Sequence, residues 1–319
     1  MEAIPGPEGY YESESFAPMY DGMDGCQDCG GSRGSTCGEP CEPYGACGPA
    51  GCPWTWYENL SLMGGAQGFK GPVDEGRNGN FGFNYGANWG GPLWNQMGIG
   101  YQVGGRIVHS NFQGNQTLGV ISEDDRTQYF VTAGIFHRPR STIWQWGVVI
   151  DWLDDSYYLD MSMAQIRAEL ALVNRWGNEI GFKVASGTDS DSAQRIVNMM
   201  LITETWEPTD RYEMFLRRHF AGGGEGRISG GASGNGDGLL GLDFWFPFAS
   251  NCAMEGGVSY LKPHEGRGLE GQPQEQWGIS INLVWYPGHT ARTASGSRWR
   301  PLMGVADNSS MFVDKTQTP

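Results

Sequence analysis

The stretch TIWQWGVVIDWLDD, residues 142–155, reads with a period of two: Trp144, Trp146, Val148, Ile150 and Trp152 share one face, and Gln145, Gly147, Val149 and Asp151 share the other. That is a strand with one apolar face and one mixed face. In a soluble β-protein the tryptophans would fill a core and Asp151 would meet water. In a transmembrane barrel the same strand turns its tryptophans to lipid and Asp151 to the lumen. Alternation alone is symmetric between these readings, so the rest of the chain has to decide.

Composition narrows the choice. The 319 residues include 51 Gly, 13 Trp, 13 Tyr and 14 Phe, with only 18% charged residues, a β-rich rather than helical makeup. Mean hydropathy is -0.43, and no run of about 18 apolar residues offers a helical span, which leaves a barrel open because its alternation averages to weak hydropathy. The net charge of -15 argues against a nucleic-acid partner, since phosphate binding needs clustered Lys and Arg.

Three segments are expected. Residues 1–53 are poor in aliphatics and rich in Gly, Pro, acidic residues and Cys, a tail that buries too little apolar surface to fold as an ordinary core. Residues 54–287 form the barrel, and residues 288–319 form a C-terminal tail, either a lumen plug or a periplasmic segment. The N-terminus shows neither a basic start nor an apolar h-region, which leaves a cytoplasmic protein or a removed leader. Six of the seven cysteines crowd between Cys26 and Cys52, a density that suits an oxidising compartment, so a removed leader is the expectation.

Twelve strands are read in the central region. They start near WYENLSLM, NFGFNYGANW, MGIGYQVGGRIVH, QYFVTAGIFH and the opening stretch, and continue with AQIRAELALV, EIGFKVAS, VNMMLITETW, RYEMFLRRHF, GLLGLDFWF, CAMEGGVSYL and WGISINLVWY. AQIRAELALV has helix-forming residues, but its apolar positions recur at period two. Long and short connections alternate, from GGAQGFKGPVDEGRNG through AGGGEGRISGGASGNGD to KPHEGRGLEGQPQE, as in bacterial outer-membrane barrels with tight turns at one end and longer loops at the other. An even strand number then puts both tails on the short-turn, periplasmic side. The fold class is therefore all-β, an antiparallel up-and-down transmembrane β-barrel of about 12 strands with irregular tails.

A barrel of this width cannot fill its interior with wall side chains, so the mixed face points inward. It carries Gln102 and the lumen-lining charges Arg106, Asp151, Arg167, Glu169, Glu179, Lys183, Arg217, Asp243 and Glu255. Trp54, Trp56, Trp89, Trp176, Trp206, Trp277, Trp285 and Tyr286 sit toward segment ends, where aromatic girdles belong.

GGAQGFKGPVDEGRNGNFGFNYGANWGGPL, GIGYQVGGRIVHSNFQG, FLRRHFAGGGEGRISGGASGNGDGLLG and LVWYPGHTARTASGSRWRPLMGVADNSSMFVD resemble stretches of uncharacterised outer-membrane-type β-barrel proteins of planctomycete bacteria. The likeness covers about residues 54–315. It implies a barrel of the cell envelope, with no established activity and no site residues to carry over. The chain departs from outer-membrane barrels in general by continuing about thirty residues past INLVWY.

Cys26, Cys29, Cys37, Cys41, Cys47 and Cys52 are disulfide candidates, within the tail or between chains; no histidine lies among them to favour a zinc site. Cys252 reads as an apolar filler. A hydrolase would need His109, Ser110, His137 or His219 to converge with a carboxylate, and His109 and Ser110 fall on opposite faces of one strand. Glu123, Asp124, Asp125, Asp154, Asp155, Asp189 and Asp191 read as solvated outer loops rather than a cation site. No cofactor, no metal and no catalytic residue is expected. The partners expected are the lipid bilayer of the outer membrane and, through the N-terminal tail, a cell wall or further copies of the chain. Two functions remain: a porin-like passive pore with weak cation preference, or a closed structural barrel that anchors the membrane through its Cys-rich tail.

Overall fold

The computed structural model describes residues 56–74, 79–110, 125–138, 143–157, 160–174, 176–197, 200–264 and 275–318. The six N-terminal cysteines lie outside them. Contacts group residues 55–174 and 178–319 into the unit treated below.

Fifteen strands and one short helix follow in chain order: β1 Leu60–Lys70, β2 Asn80–Trp94, β3 Ile99–Ser110, β4 Arg126–His137, β5 Trp144–Ser156, β6 Asp160–Val173, β7 Glu179–Asp189, β8 Asp191–Val197, β9 Met200–Pro208, β10 Arg211–His219, β11 Glu225–Ser233, β12 Gly238–Pro247, β13 Cys252–Lys262, β14 Gln276–Trp285, α1 Ala291–Gly296 and β15 Val313–Thr318. Twelve of the strands close into an antiparallel barrel in which β1 pairs with β2 and β14, and β7 pairs directly with β10. The remaining three form a separate sheet in the order β15-β9-β8.

Twelve is the number of strands expected, but two of the assignments change. VNMMLITETW is not a wall strand: it supplies β9, hydrogen-bonded to β8 and β15. Its faces explain this, because Thr203, Thr205 and Glu207 lie on one and the buried Glu204 and Trp206 on the other, so neither could meet hydrocarbon. The twelfth wall strand is β11, EGRISGGAS, taken from the sequence as loop. It alternates Glu225, Arg227 and Ser229 with Gly226, Ile228 and Gly230, a pattern whose small outer residues give almost no apolar signal. Trp206 and Tyr286 are also fully enclosed rather than girdle residues, the Trp245 indole donating to the Tyr286 hydroxyl at 2.9 Å.

Wall strands reach further into the connections than expected. Gly64–Lys70 belongs to β1, and Asp154 and Asp155, read as loop, belong to β5. Connections at one end are short, such as 95–98 and 248–251. The other has the longer connections 111–125, 190–210 and 263–275, but also the short ones 157–159 and 234–237.

The opening stretch is answered by its burial: Trp144, Val148, Ile150 and Trp152 are exposed on the outside, whereas Gln145, Val149, Asp151, Leu153 and Asp155 are enclosed. The same polarity runs round the ring, with Phe81, Phe83, Tyr85, Val131, Ile166, Leu170, Phe182, Met214, Leu216, Leu240, Leu242, Ile279, Ile281 and Leu283 all outward and exposed. Outward charges on the described wall strands, Lys70, Asp154, Asp160, Asp189, Arg218 and Lys262, lie within two residues of a strand end.

After β14 the chain turns into α1, capped by Thr290, whose hydroxyl accepts from the Thr293 N–H. It then enters the barrel at the tight-turn end, runs the length of the lumen and leaves at the opposite end as β15.

Candidate functional site

The lumen and the segment that threads it form the site. Two glycines mark the path of that segment on the wall. A Cβ on Gly90 would stand 2.3 Å from the Trp299 carbonyl oxygen, and one on Gly278 would stand 2.5 Å from the Ser309 hydroxyl; only glycine admits the backbone there. Side chains on the wall then take up the tail's own polar groups. Gln102 accepts from the N–H groups of Leu302 and Met303, both at 3.1 Å, and donates back to the Met303 carbonyl at 3.0 Å. Asn88 donates to the same carbonyl, and the Thr132 hydroxyl accepts from Ala306 N–H at 2.9 Å.

Arginines clamp the carbonyls. Arg138 holds those of Arg300 and Pro301, Arg167 that of Gly304, and Arg211 those of Ser309 and Ser310. A tight turn at Asp307–Ser310 completes the fit. One Asp307 carboxylate oxygen accepts from the Ser309 and Ser310 N–H groups while the other accepts from Arg106 at 2.8 Å. A buried backbone has to satisfy its donors and acceptors, and here the wall does so.

Each lumen charge expected from the sequence faces inward, and the structure joins them into pairs. Asp151 accepts from Arg167 at 2.8 Å, from Thr132 at 2.7 Å and from Gln165 at 2.9 Å. Arg217 bridges Glu169 at 2.9 Å and Glu179 at 2.6 Å; Glu179 also meets His219 and Gln145. Lys183 meets Glu213 at 3.2 Å, Arg227 joins Asp243 and Glu169, and Glu255 lies 3.9 Å from Arg106. Near the long-loop end Arg126 is enclosed between Asp155 and Asp74, so Asp155 is an ion-pair partner and not a solvated loop residue.

The sequence reading missed Arg211, Glu213, Glu225, Arg227, Arg300 and Asp307. Glu225 and Arg227 were hidden by the loop assignment of β11, and Arg300 and Asp307 by treating the tail as separate from the wall. Arg211 and Glu213 needed only the alternation of RYEMFLRRH carried to its first residues.

The lumen is divided. Phe130, Leu153 and Met163, consecutive neighbours across β4, β5 and β6, pack with Val108, Val305, Ala306, Met311 and Val313 into an apolar layer toward the long-loop end. Against β12 and β13, Phe312 packs on Leu239 and Leu261. Below this layer, mainly along β7 and β10 to β13 but reaching Arg106 on β3 and Glu169 on β6, a cavity of about 250 Å³ is lined by Lys183, Arg217, Arg227, Asp243 and Glu255.

The hydrolase candidates do not converge. His109 faces out and contacts the Tyr85 hydroxyl and Thr127, Ser110 is enclosed on the other face, His137 stacks on Trp146, and His219 lies in the ion-pair network. Cys252 carries a free thiol. Among the described residues no cluster of three or more His, Cys, Asp or Glu has the geometry to hold a metal ion; Glu123 and Asp124 lie outside them.

A family of unknown function, DUF6666, matches residues 59–313. The chain belongs to that family. No curated protein matches its sequence. Among solved structures it is similar to outer membrane phospholipase A from Escherichia coli, at 11% identity over 70% of this chain and 92% of that one, with a TM-score of 0.38. It is also similar to an anion-selective porin from Comamonas acidovorans, at 10% identity over 71% of this chain and 98% of that one, with a TM-score of 0.30. Overlaps at this level assign no function.

Proposed function

We propose that this DUF6666 protein is an outer-membrane barrel closed by its own C-terminal segment, acting as an envelope anchor or interaction module rather than an open porin. The membrane part rests on the exposed ring of Phe, Leu, Ile, Val and Trp side chains and on the confinement of outward charges to strand ends. A soluble protein rarely exposes an apolar surface of that extent, and an Arg or Lys at mid-membrane would cost about 2–4 kcal/mol. The resemblance to outer-membrane-type planctomycete barrels supports the same reading, as does the tight-turn end.

The observation that carries the closed state is the tail itself, fitted over Gly90 and Gly278 and clamped by Arg138, Arg167 and Arg211. Trp299, Leu302, Met303, Val305, Met311, Phe312 and Val313 are all buried there. At about 1.5–3 kcal/mol for each buried large apolar side chain, their contribution outweighs what water would return to the tail's polar groups. The Cys-rich N-terminal segment is the proposed link to a wall or to neighbouring copies.

Planar-bilayer conductance of the purified full chain under a salt gradient tests this. Silence, with insertion shown independently, is the expected result. Discrete steps would restore the passive pore, and their reversal potential would report its ion preference.

A further inference from the structure

We propose that the lumen is a one-sided aqueous vestibule, entered from the tight-turn end and sealed from the long-loop end by Phe312 seated on Leu239 and Leu261. The inference rests on the membrane reading above and adds a direction to it.

Three observations support this. First, the cavity occupies the tight-turn side of the β10–β13 wall, beside the enclosed Trp245 and Tyr286, and stops short of the Leu239–Leu261–Phe312 group. Ser61, Arg138, Tyr286 and Arg300 line the cavity at the tight-turn end, and it reaches Ser259 on β13, one inward position before Leu261. Second, on β12 and β13 themselves exposure falls toward that step: the Asp243 and Glu255 side chains are 39% and 30% exposed, although Arg106 and Arg217 across the cavity are only 4% and 8% exposed, whereas Leu239, Leu261 and Phe312 are 4%, 2% and 3% exposed.

Third, successive tail residues join different apolar groups, Met311 the cluster that contains Phe130, Leu153 and Met163, and Phe312 the Leu239–Leu261 pair of β12 and β13. One tail thus seals against both groups. A narrow apolar constriction of this kind excludes water, and with it ions, by dewetting. The Arg211 guanidinium, 5.3 Å from the Phe312 ring centroid, caps the seal on its wet side while it holds Ser309 and Ser310.

Side-specific thiol labelling tests the proposal. In a full chain with its seven native cysteines replaced by serine, Ser259→Cys places a thiol at the inner end of the vestibule. The probe is an anionic, membrane-impermeant methanethiosulfonate, applied to intact cells and to lysed cells. The S259C protein is expected to be protected in intact cells and to react on lysis. Adding Phe312→Ala should raise the intact-cell rate by at least about tenfold, as expected if an apolar constriction is the barrier. Leu261→Ala opens the same layer from the wall and is run in parallel, with heat-modifiable gel mobility reporting that each barrel is folded.

Reaction of S259C in intact cells, no reaction on lysis, or continued protection of both folded double variants would each overturn the vestibule. A protein found in the soluble fraction would instead overturn the membrane reading, so the two failures are distinguishable.

Discussion

The two walls of the lumen solve the same problem differently. Along β4 to β6 the interior is filled, with Phe130, Leu153 and Met163 joining one apolar cluster with tail residues between the enclosed pairs Asp151–Arg167 and Arg126–Asp155. Along β7 and β10 to β13 it is charged and partly empty, with Arg217 and Arg227 strung between carboxylates around a cavity. The filled wall draws its stability from burial. The charged wall has little to gain from that, since a buried ion pair does little more than offset its own desolvation but is costly to break. A twelve-stranded ring is too wide for its own side chains; this chain fills it with a further segment of itself and leaves a wet cavity on the tight-turn side of the β10–β13 wall.

The strongest way to break that contrast is at Arg217. Arg217→Met leaves Glu169 and Glu179 short of a partner and is expected to cost about 3–5 kcal/mol, read as a fall in the urea midpoint of the detergent-solubilised barrel. Neutralising both carboxylates as well, R217M/E169Q/E179Q, should recover most of the loss. On the filled wall Met163→Ala should cost about 2–5 kcal/mol by opening a cavity; the same denaturation assay, repeated with a neighbouring polar substitution, should find no such recovery. If both walls respond alike, the division described here is wrong.

A smaller effect is expected where wall and tail meet. Gly278→Val drives a side chain into Ser309 and Asn308, at about 1–3 kcal/mol for overpacking, and should speed proteolysis of the tail before the wall unfolds. Smallest is the pH response of His289, outside the strands, where burial pushes the imidazole pKa below its usual value against the opposing pull of Glu58. Its stabilising share is complete above about pH 6.5 and is lost as pH falls through the depressed folded value. The urea midpoint should therefore drop on acidification below pH 6.5, and His289→Gln should flatten that drop.

Most of the wall was legible because one physical rule, the alternation of lipid-facing and lumen-facing residues, is written into each strand. It placed every lumen charge it named on the inner face. It failed where the rule is silent. In β11 the outer face is Gly226, Ile228, Gly230 and Ala232, where Ile228 stands alone among residues too small to register as apolar, and in β9 a run that looks like a strand is one, but belongs to another sheet. The path of the tail was not readable, because Gly90 and Gly278 are informative only once it is known what lies against them. The pairing of Arg106 with Asp307, 201 positions apart, has no local signature at all.

The threaded tail also makes the fold a ring with its own thread through it. Twelve ladders close around residues that follow the last wall strand, so the β1–β14 seam either zips up around a tail already in place or has Thr318 drawn through afterwards. Once closed, the thread can leave only by pulling β15 off β9 and back through the ring, or by parting a ladder. Expulsion is therefore a slow, topologically guarded event whose rate is set by the seam and by the small outer sheet, not by the contacts inside the lumen alone.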